Sequence, residues 1–162
     1  MANNFKVIVS IKKQPKDEPV FQKHDGERFQ HSCHTVKLNT NAKYTVTVLF
    51  RPEKTLTRLQ IQGERAEFSR VKLDKNEDDA CQYQAEWSTI GSDISKSGKR
   101  KEVPLVLEMT NGVTMKVTLQ VKFYKDEETV HCCWGQELHS IQYECYVPDG
   151  CTFVDVKKEK YL

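Results

Sequence analysis

The residues best equipped for chemistry lie in the last third of the chain. His131, Cys132 and Cys133 are consecutive, and His139, Cys145 and Cys151 follow. Imidazole and thiolate groups are zinc ligands, and four of them in a tetrahedron make a structural site. The spacing argues against that use. Zinc sites pair cysteines two to four residues apart, whereas the side chains of adjacent cysteines diverge. Cys145 falls in the apolar phase of an alternating run and reads as a small core residue. A redox-responsive Cys132 or Cys133 in an exposed loop is a second reading, and it would need a lowered thiol pKa. The histidines His24, His31, His34 and His139 sit near turns or strand ends, with no Ser or Asp at a recognisable triad spacing. There is no Gly-rich phosphate loop, nucleophile elbow or zinc-protease helix. The chain is therefore expected to be neither an enzyme nor a metal or cofactor protein.

Two further features suit binding. Lys96-Ser97-Gly98-Lys99-Arg100-Lys101 is a basic run. It would suit acidic lipid or a phosphorylated or acidic peptide, but a solvated loop is the favoured reading. Trp87 is in phase with Cys81, Tyr83 and Ala85 and belongs to a core. Trp134 stands in a loop beside Gly135. It is either an interface anchor or a cap on one end of the fold, and capping is favoured because large aromatics are usually buried where they can be.

Alternation with period two dominates the elements that must position these residues. Phe5, Val7, Val9 and Ile11 alternate with polar neighbours, as do Tyr44, Val46, Val48 and Phe50. Val113, Met115, Val117, Leu119, Val121 and Phe123 form the longest run, and Ile141, Tyr143, Cys145 and Val147 repeat it. A strand places such residues on one face, whereas a helix scatters them. The phase changes between Ala66-Phe68 and Val71-Leu73, which predicts a bulge near Ser69-Arg70. Asp25-Gly26, Asn111-Gly112 and Pro148-Asp149-Gly150 are turn signals. Residues 74–79, 92–101 and 126–135 read as loops, the second of them mobile. About ten strands and no amphipathic helix predict an all-β, single-domain antiparallel barrel or closed sandwich spanning residues 1–162. Its interior is expected to be largely filled with apolar side chains.

Composition narrows the function classes. A chain of 162 residues fits one domain and needs no disulfide or metal to hold its core. The formal charge is only +2, so nothing demands a nucleic-acid partner. The start, Met1-Ala2-Asn3-Asn4-Phe5, has neither the charge nor the apolar run of a signal peptide. No stretch has the length of an apolar membrane span, and no lipidation box is present. Reduced thiols in the cytoplasm are expected.

Several blocks resemble a known family. They are Pro19-Val20-Phe21 with Lys23, Asp25-Gly26, Arg28 and Phe29, then Thr35, Lys37, Leu38 and Tyr44, and the loop Lys96-Ser97-Gly98. The most specific are Gln120-Val121-Lys122-Phe123-Tyr124, His131-Cys132, Trp134-Gly135, and Ile141 with Tyr143-Glu144-Cys145. Together they are similar to the cannabinoid receptor-interacting protein 1 family nearly end to end. The resemblance implies an all-β, barrel-like accessory protein of the cytoplasm. Its partner would be the intracellular C-terminal tail of a G protein-coupled receptor of the cannabinoid type, whose signalling it would modulate. It would act as a monomer, reaching the inner face of the plasma membrane through the receptor. The tail Lys160-Tyr161-Leu162 departs from the family's Ser-x-Leu ending, which puts a PDZ-type role in doubt.

Exposure and charge nominate the binding surface. Lys122 and Tyr124 on the polar face of the longest strand are the first candidates, with Arg58, Lys99 and Arg100 supplying charge and Trp134 an anchor. A different class of function is a carrier of lipidated or hydrophobic protein cargo in a slot between sheets, which would require a continuous apolar cavity.

Overall fold

The computed structural model describes residues 3–25, 34–73 and 79–162. Among these the chain forms thirteen strands and one short 3-10 turn. In chain order the strands are β1 (Asn3–Lys13), β2 (Glu18–His24), β3 (His34–Asn39), β4 (Lys43–Arg51), β5 (Leu56–Ile61), β6 (Glu64–Arg65) and β7 (Phe68–Val71). They continue as β8 (Cys81–Ser88), β9 (Lys101–Met109), β10 (Thr114–Tyr124), β11 (Gln136–Leu138), β12 (Ile141–Val147) and β13 (Asp155–Tyr161). The main path of hydrogen-bonded neighbours runs β6-β5-β9-β10-β3-β2-β1-β4-β8-β7. β11 adds to β2, and β12 lies between β1 and β13.

β1 makes the corner of the fold. Its first residues pair with β12, whereas Lys12 and Lys13 pair with Pro19 and Glu18 of β2. One layer is therefore β13-β12-β1-β4-β8-β7 and the other is β6-β5-β9-β10-β3-β2-β11. The alternating apolar residues named above fill the space between them. Tyr44, Phe50 and Tyr143 from the first layer meet Leu38, Leu105, Leu107, Met115 and Phe123 from the second, all nearly inaccessible to water. The interior is thus occupied by packed side chains. At one end His34 stacks on Tyr161, with centroids 4.3 Å apart, so the last strand closes against β3.

Among the described residues the strand-to-strand ladders are antiparallel except that of β10 with β3, which is parallel and aligns Lys122 with Lys37; an isolated parallel bridge also joins Thr114 to Phe153. The Asn111-Gly112 turn joins β9 to β10 as the sequence predicts. Both residues have positive φ, 64° and 73°, which Asn and Gly tolerate best. The Asp25-Gly26 turn and most of the 74–79 loop fall outside the described residues. No bulge occurs at Ser69-Arg70, where β7 pairs with β8 in unbroken register. The phase changes because Phe68 and Val71 lie on opposite faces of β7: Phe68 pairs with inward-facing Ala85 of β8 and Val71 with outward-facing Gln82. Register shifts occur instead between Leu56 and Arg58 and between Glu144 and Cys145.

Candidate basic groove

β3 is buried on both faces. Val36 and Leu38 point into the core, as the alternation requires. Thr35, Lys37 and Asn39 point the other way, onto the outer surface of the sheet, and are buried too. Two loops cover them. One, residues 89–100, leads into β9; the other, residues 125–135, leads from β10 to β11.

Asn39 holds both loops. Its Nδ2 donates to the carbonyl oxygens of Lys125 at 2.9 Å and Glu128 at 2.8 Å. Its Oδ1 accepts from Lys13 Nζ at 2.7 Å and from the Cys132 thiol at 3.3 Å. Its own amide donates to Tyr44 Oη at 2.8 Å, and its carbonyl accepts from Thr89 Oγ1 at 2.6 Å. The Asn39 side chain is therefore fully satisfied, as a polar group with no solvent exposure must be.

Lys37 braces the second loop. Its Nζ donates to the carbonyls of His131 at 3.1 Å and Trp134 at 2.8 Å and lies 5.6 Å from the Trp134 ring centroid. Burial is the main cause that lowers its pKa, and the nearby charges of Lys23 and Lys122 add to it. Gly135 turns the loop with φ of 105°, a region closed to side chains, and a Cβ there would meet Lys37 Nζ at 3.7 Å. Glu128 stabilises the same turn by accepting the His131 amide at 2.9 Å, a bond that holds its carboxyl below the usual range.

The first loop is pinned as well. The Ser95 amide donates to Phe123 O at 3.0 Å, and Phe123 N donates to Ser95 Oγ at 2.9 Å. This segment thus takes over the edge of β10 beyond Val121, the partner of Lys101 at the start of β9. Deeper in, Arg100 Nη2 lies 3.3 Å from Asp25 Oδ1, and both side chains are almost wholly buried. Thr35 Oγ1 donates to Asp25 and accepts from Arg100 Nε and Gln120 Nε2, each at 3.0 Å. Burial alone would raise the Asp25 pKa. The Thr35 bond and the Arg100 guanidinium outweigh it and hold the carboxyl below its ordinary value.

Between the two loops lies a groove of about 640 Å3. Its floor carries Lys37, Lys122 and Tyr124, with Lys23 beside them on β2. Ile94, Ser95 and Ser97 form one wall; Lys125, His131 and Trp134 form the other. Four lysines and two histidines line the groove, and no Asp or Glu does so among the described residues. Two large apolar side chains stand open at its rim, Trp134 at 71% exposure and Ile94 at 55%.

The structure sorts the residues that the sequence nominated. Lys122, Tyr124 and Trp134 come together in the groove. Lys122 and Tyr124 are half-buried rather than fully exposed, and Lys122 Nζ sits 5.1 Å above the Tyr124 ring. Trp134 caps nothing, because Lys37 ties down its backbone while the ring stays in solvent. Arg100 is no surface cation, since its guanidinium is committed to buried Asp25. Lys99 is exposed on the adjoining loop but does not line the groove. Arg58 is exposed on β5 opposite Glu108, which pairs with Thr114 of β10. That is eight residues from Lys122, or roughly 26 Å along the strand. Arg58 is thus remote from this site.

The cysteines do not converge. Cys81, Cys132, Cys133, Cys145 and Cys151 are free, and no cluster suited to a metal ion occurs among the described residues. Cys132 is buried rather than in an exposed loop, and burial pushes its thiol up to about 12. Cys133 is half-buried and is the more accessible of the pair.

Lys37 and Asn39 escaped the sequence reading as site residues. In an alternating strand they read as ordinary solvent-facing positions. The one available signal was the short polar set Thr35, Lys37 and Asn39 opposite the equally polar Gln120, Lys122 and Tyr124.

The fold and groove define a β-sandwich domain with a basic, aromatic-rimmed cleft on one sheet face. The family described as CB1 cannabinoid receptor-interacting protein 1 matches residues 1–161. A human protein of that name is 31% identical over 158 residues, covering 97% of this chain and 95% of the relative. The bovine protein of that name is 32% identical over 161 residues with the same coverage, and the rat one is 31% identical. The chain belongs to the CB1 cannabinoid receptor-interacting protein 1 family.

Proposed function

We propose that this chain is a non-enzymatic accessory protein that binds the intracellular C-terminal tail of a cannabinoid-receptor-like G protein-coupled receptor and modulates its signalling. It acts in the cytoplasm as a monomer and meets the inner face of the membrane through the receptor. The groove carries this reading. It offers an extended peptide two exposed apolar anchors, Trp134 and Ile94, over a lysine-lined floor. An exposed tryptophan beside a concave surface is a typical site of concentrated binding energy. The family's name supports the choice of receptor.

The carrier reading receives less support. Large side chains fill the space between the layers. The opening between them near Phe5, Met109, Val113 and Val147 measures only about 240 Å3.

Titration of the purified protein with fluorescent receptor-tail peptides tests the proposal. Saturable binding is expected, weakened roughly thirtyfold by Trp134→Ala, as loss of a hot spot of about 2 kcal/mol implies. Absence of binding to any cannabinoid-receptor-type tail would overturn the assignment. Binding indifferent to Trp134→Ala would move the site away from the groove.

A further inference from the structure

The basic run ahead of β9 is folded so that one hydroxyl is lifted into solvent. The Lys99 amide donates to Lys96 O at 2.9 Å, and Gly98 has a φ of 76°. This is the pattern of a type II turn with Ser97 at its first central position. Ser95 fastens the turn to Phe123 on one side, and Arg100 fastens it to Asp25 on the other. Ser97 stands exposed between these anchors and lines the wall of the groove. The other hydroxyls that shape the loop are occupied: Thr89 Oγ1 donates to Asn39 O, and Ser95 Oγ accepts the Phe123 amide. The Ser97 hydroxyl has no hydrogen bond among the described residues. Its flanks are basic as well. Lys96 precedes it, Lys99 follows two positions later and Lys101 four, and all three are exposed. Ser92, between Gly91 and Asp93, has no such flank. Exposed loop tips are where modifying enzymes gain access, and charge pattern is how kinases choose among substrates.

We infer that Ser97 is a phosphorylation site for a serine kinase that selects basic flanks, and that the phosphate opposes entry of the tail into the groove. The second half rests on the tail-binding reading above and adds its regulation. In the transfer, the γ-phosphoryl group of ATP passes to Ser97 Oγ and ADP leaves. The Oγ–P bond replaces the O–H bond, and the proton goes to the kinase's base. The product carries roughly −1.5 to −2 charges on the wall where Ile94 stands three residues away. Apolar residues of a tail reach Ile94 and Trp134 by displacing water from that cleft. A phosphate there keeps its own water, because desolvating a charge is costly. No Asp or Glu lines the groove among the described residues to hold the phosphate out of it.

Two measurements on the full chain test this. In the first, the folded protein is incubated with ATP and the catalytic fragment of protein kinase C, and the phosphate is located by peptide mass spectrometry. Modification of Ser97 is expected, and Ser97→Ala should remove it while leaving the fold unchanged. Phosphate only at other residues, or none at all, overturns the site. In the second, the phosphorylated and unmodified proteins are titrated with one receptor-tail peptide. Phosphorylation is expected to weaken binding roughly tenfold, within the usual range of coupling between two sites. Ser97→Ala protein carried through the same kinase treatment should keep the unmodified affinity. Equal affinity of the two forms overturns the regulation and leaves tail binding standing. Phosphate on Ser97 without tail binding by either form upholds the site and overturns the tail reading.

Discussion

Replacing Asn39 with Ala tests whether one buried side chain holds the groove together. The substitution removes four hydrogen bonds: two donated to the carbonyls of Lys125 and Glu128, and two accepted from Lys13 and Cys132. The two amide–carbonyl bonds contribute about 1 kcal/mol each, the bond from the Lys13 ammonium about 2, and the thiol bond little. The partners are only partly buried, so water recovers some of this, and a net loss of about 3 kcal/mol is expected. With a urea m-value of roughly 2 kcal/mol/M, the unfolding midpoint would fall by about 1.5 M. Asn39→Asp separates hydrogen bonding from packing. It keeps the volume and the acceptor for Lys13 but turns two donors into a carboxylate oxygen facing two carbonyls, so it should not rescue stability. Because Asn39 pins the 125–135 loop, hydrogen exchange at the Cys133 amide, which donates to Thr129 O at 3.1 Å, should accelerate. A midpoint within about 0.3 M of the parent's, with Cys133 exchange unchanged, would refute the keystone role.

Asp25→Asn should cost about 3 kcal/mol at pH 7, the loss expected when one partner of a buried ion pair is removed. The Asp25 carboxyl is held below its ordinary value in the folded protein. Its contribution is therefore complete above the unfolded value of about 3.9 and is lost as pH falls through the lower, folded value. The stability gap between parent and variant should shrink in that acid range, and a gap constant down to pH 2 would contradict the assignment. Iodoacetamide at pH 8 should alkylate Cys133 well before Cys132, whose thiol is pushed up to about 12; peptide mass spectrometry showing the reverse order would refute this. Trp134 is 71% exposed and Trp87 8%, so acrylamide should quench the fluorescence in two classes. Trp134→Phe should abolish the accessible class, and its persistence would place Trp134 inside.

Which parts of this structure were legible depends on whether the information was local. The inward faces of β1, β4, β8, β10 and β12 follow from period-two alternation, and each inward residue named from it is buried except Val113, which is half-buried just before β10. Core-facing positions announce themselves because an apolar side chain has one favourable destination. The covered outer face gives no such signal. Lys37 and Asn39 have polar side chains at alternating positions, which describes a solvated strand equally well, and only the two loops lying over them change their environment. Arg100 illustrates the same limit. A basic residue in a Ser/Gly/Lys loop reads as solvated, but its partner Asp25 is 75 positions away in the chain. Trp134 failed in the opposite direction. Its size argued for burial, yet the loop that carries it is held by backbone carbonyls on Lys37, which leaves the ring free.

The parallel pairing of β3 with β10 ties Val36 to Val121, 85 positions apart. Pairings of such sequence separation form late, because the loop-closing entropy must be met before they stabilise anything. The groove is assembled at that seam: Lys23 and Lys37 come from early in the chain, whereas Lys122 and both walls come from its second half. A nascent chain that has completed β1, β4 and β8 can pair these three strands but has no groove. The groove is thus a property of the finished molecule, and a product truncated before β10 would lack Lys122 and Tyr124 of its floor and the wall that carries Trp134 together.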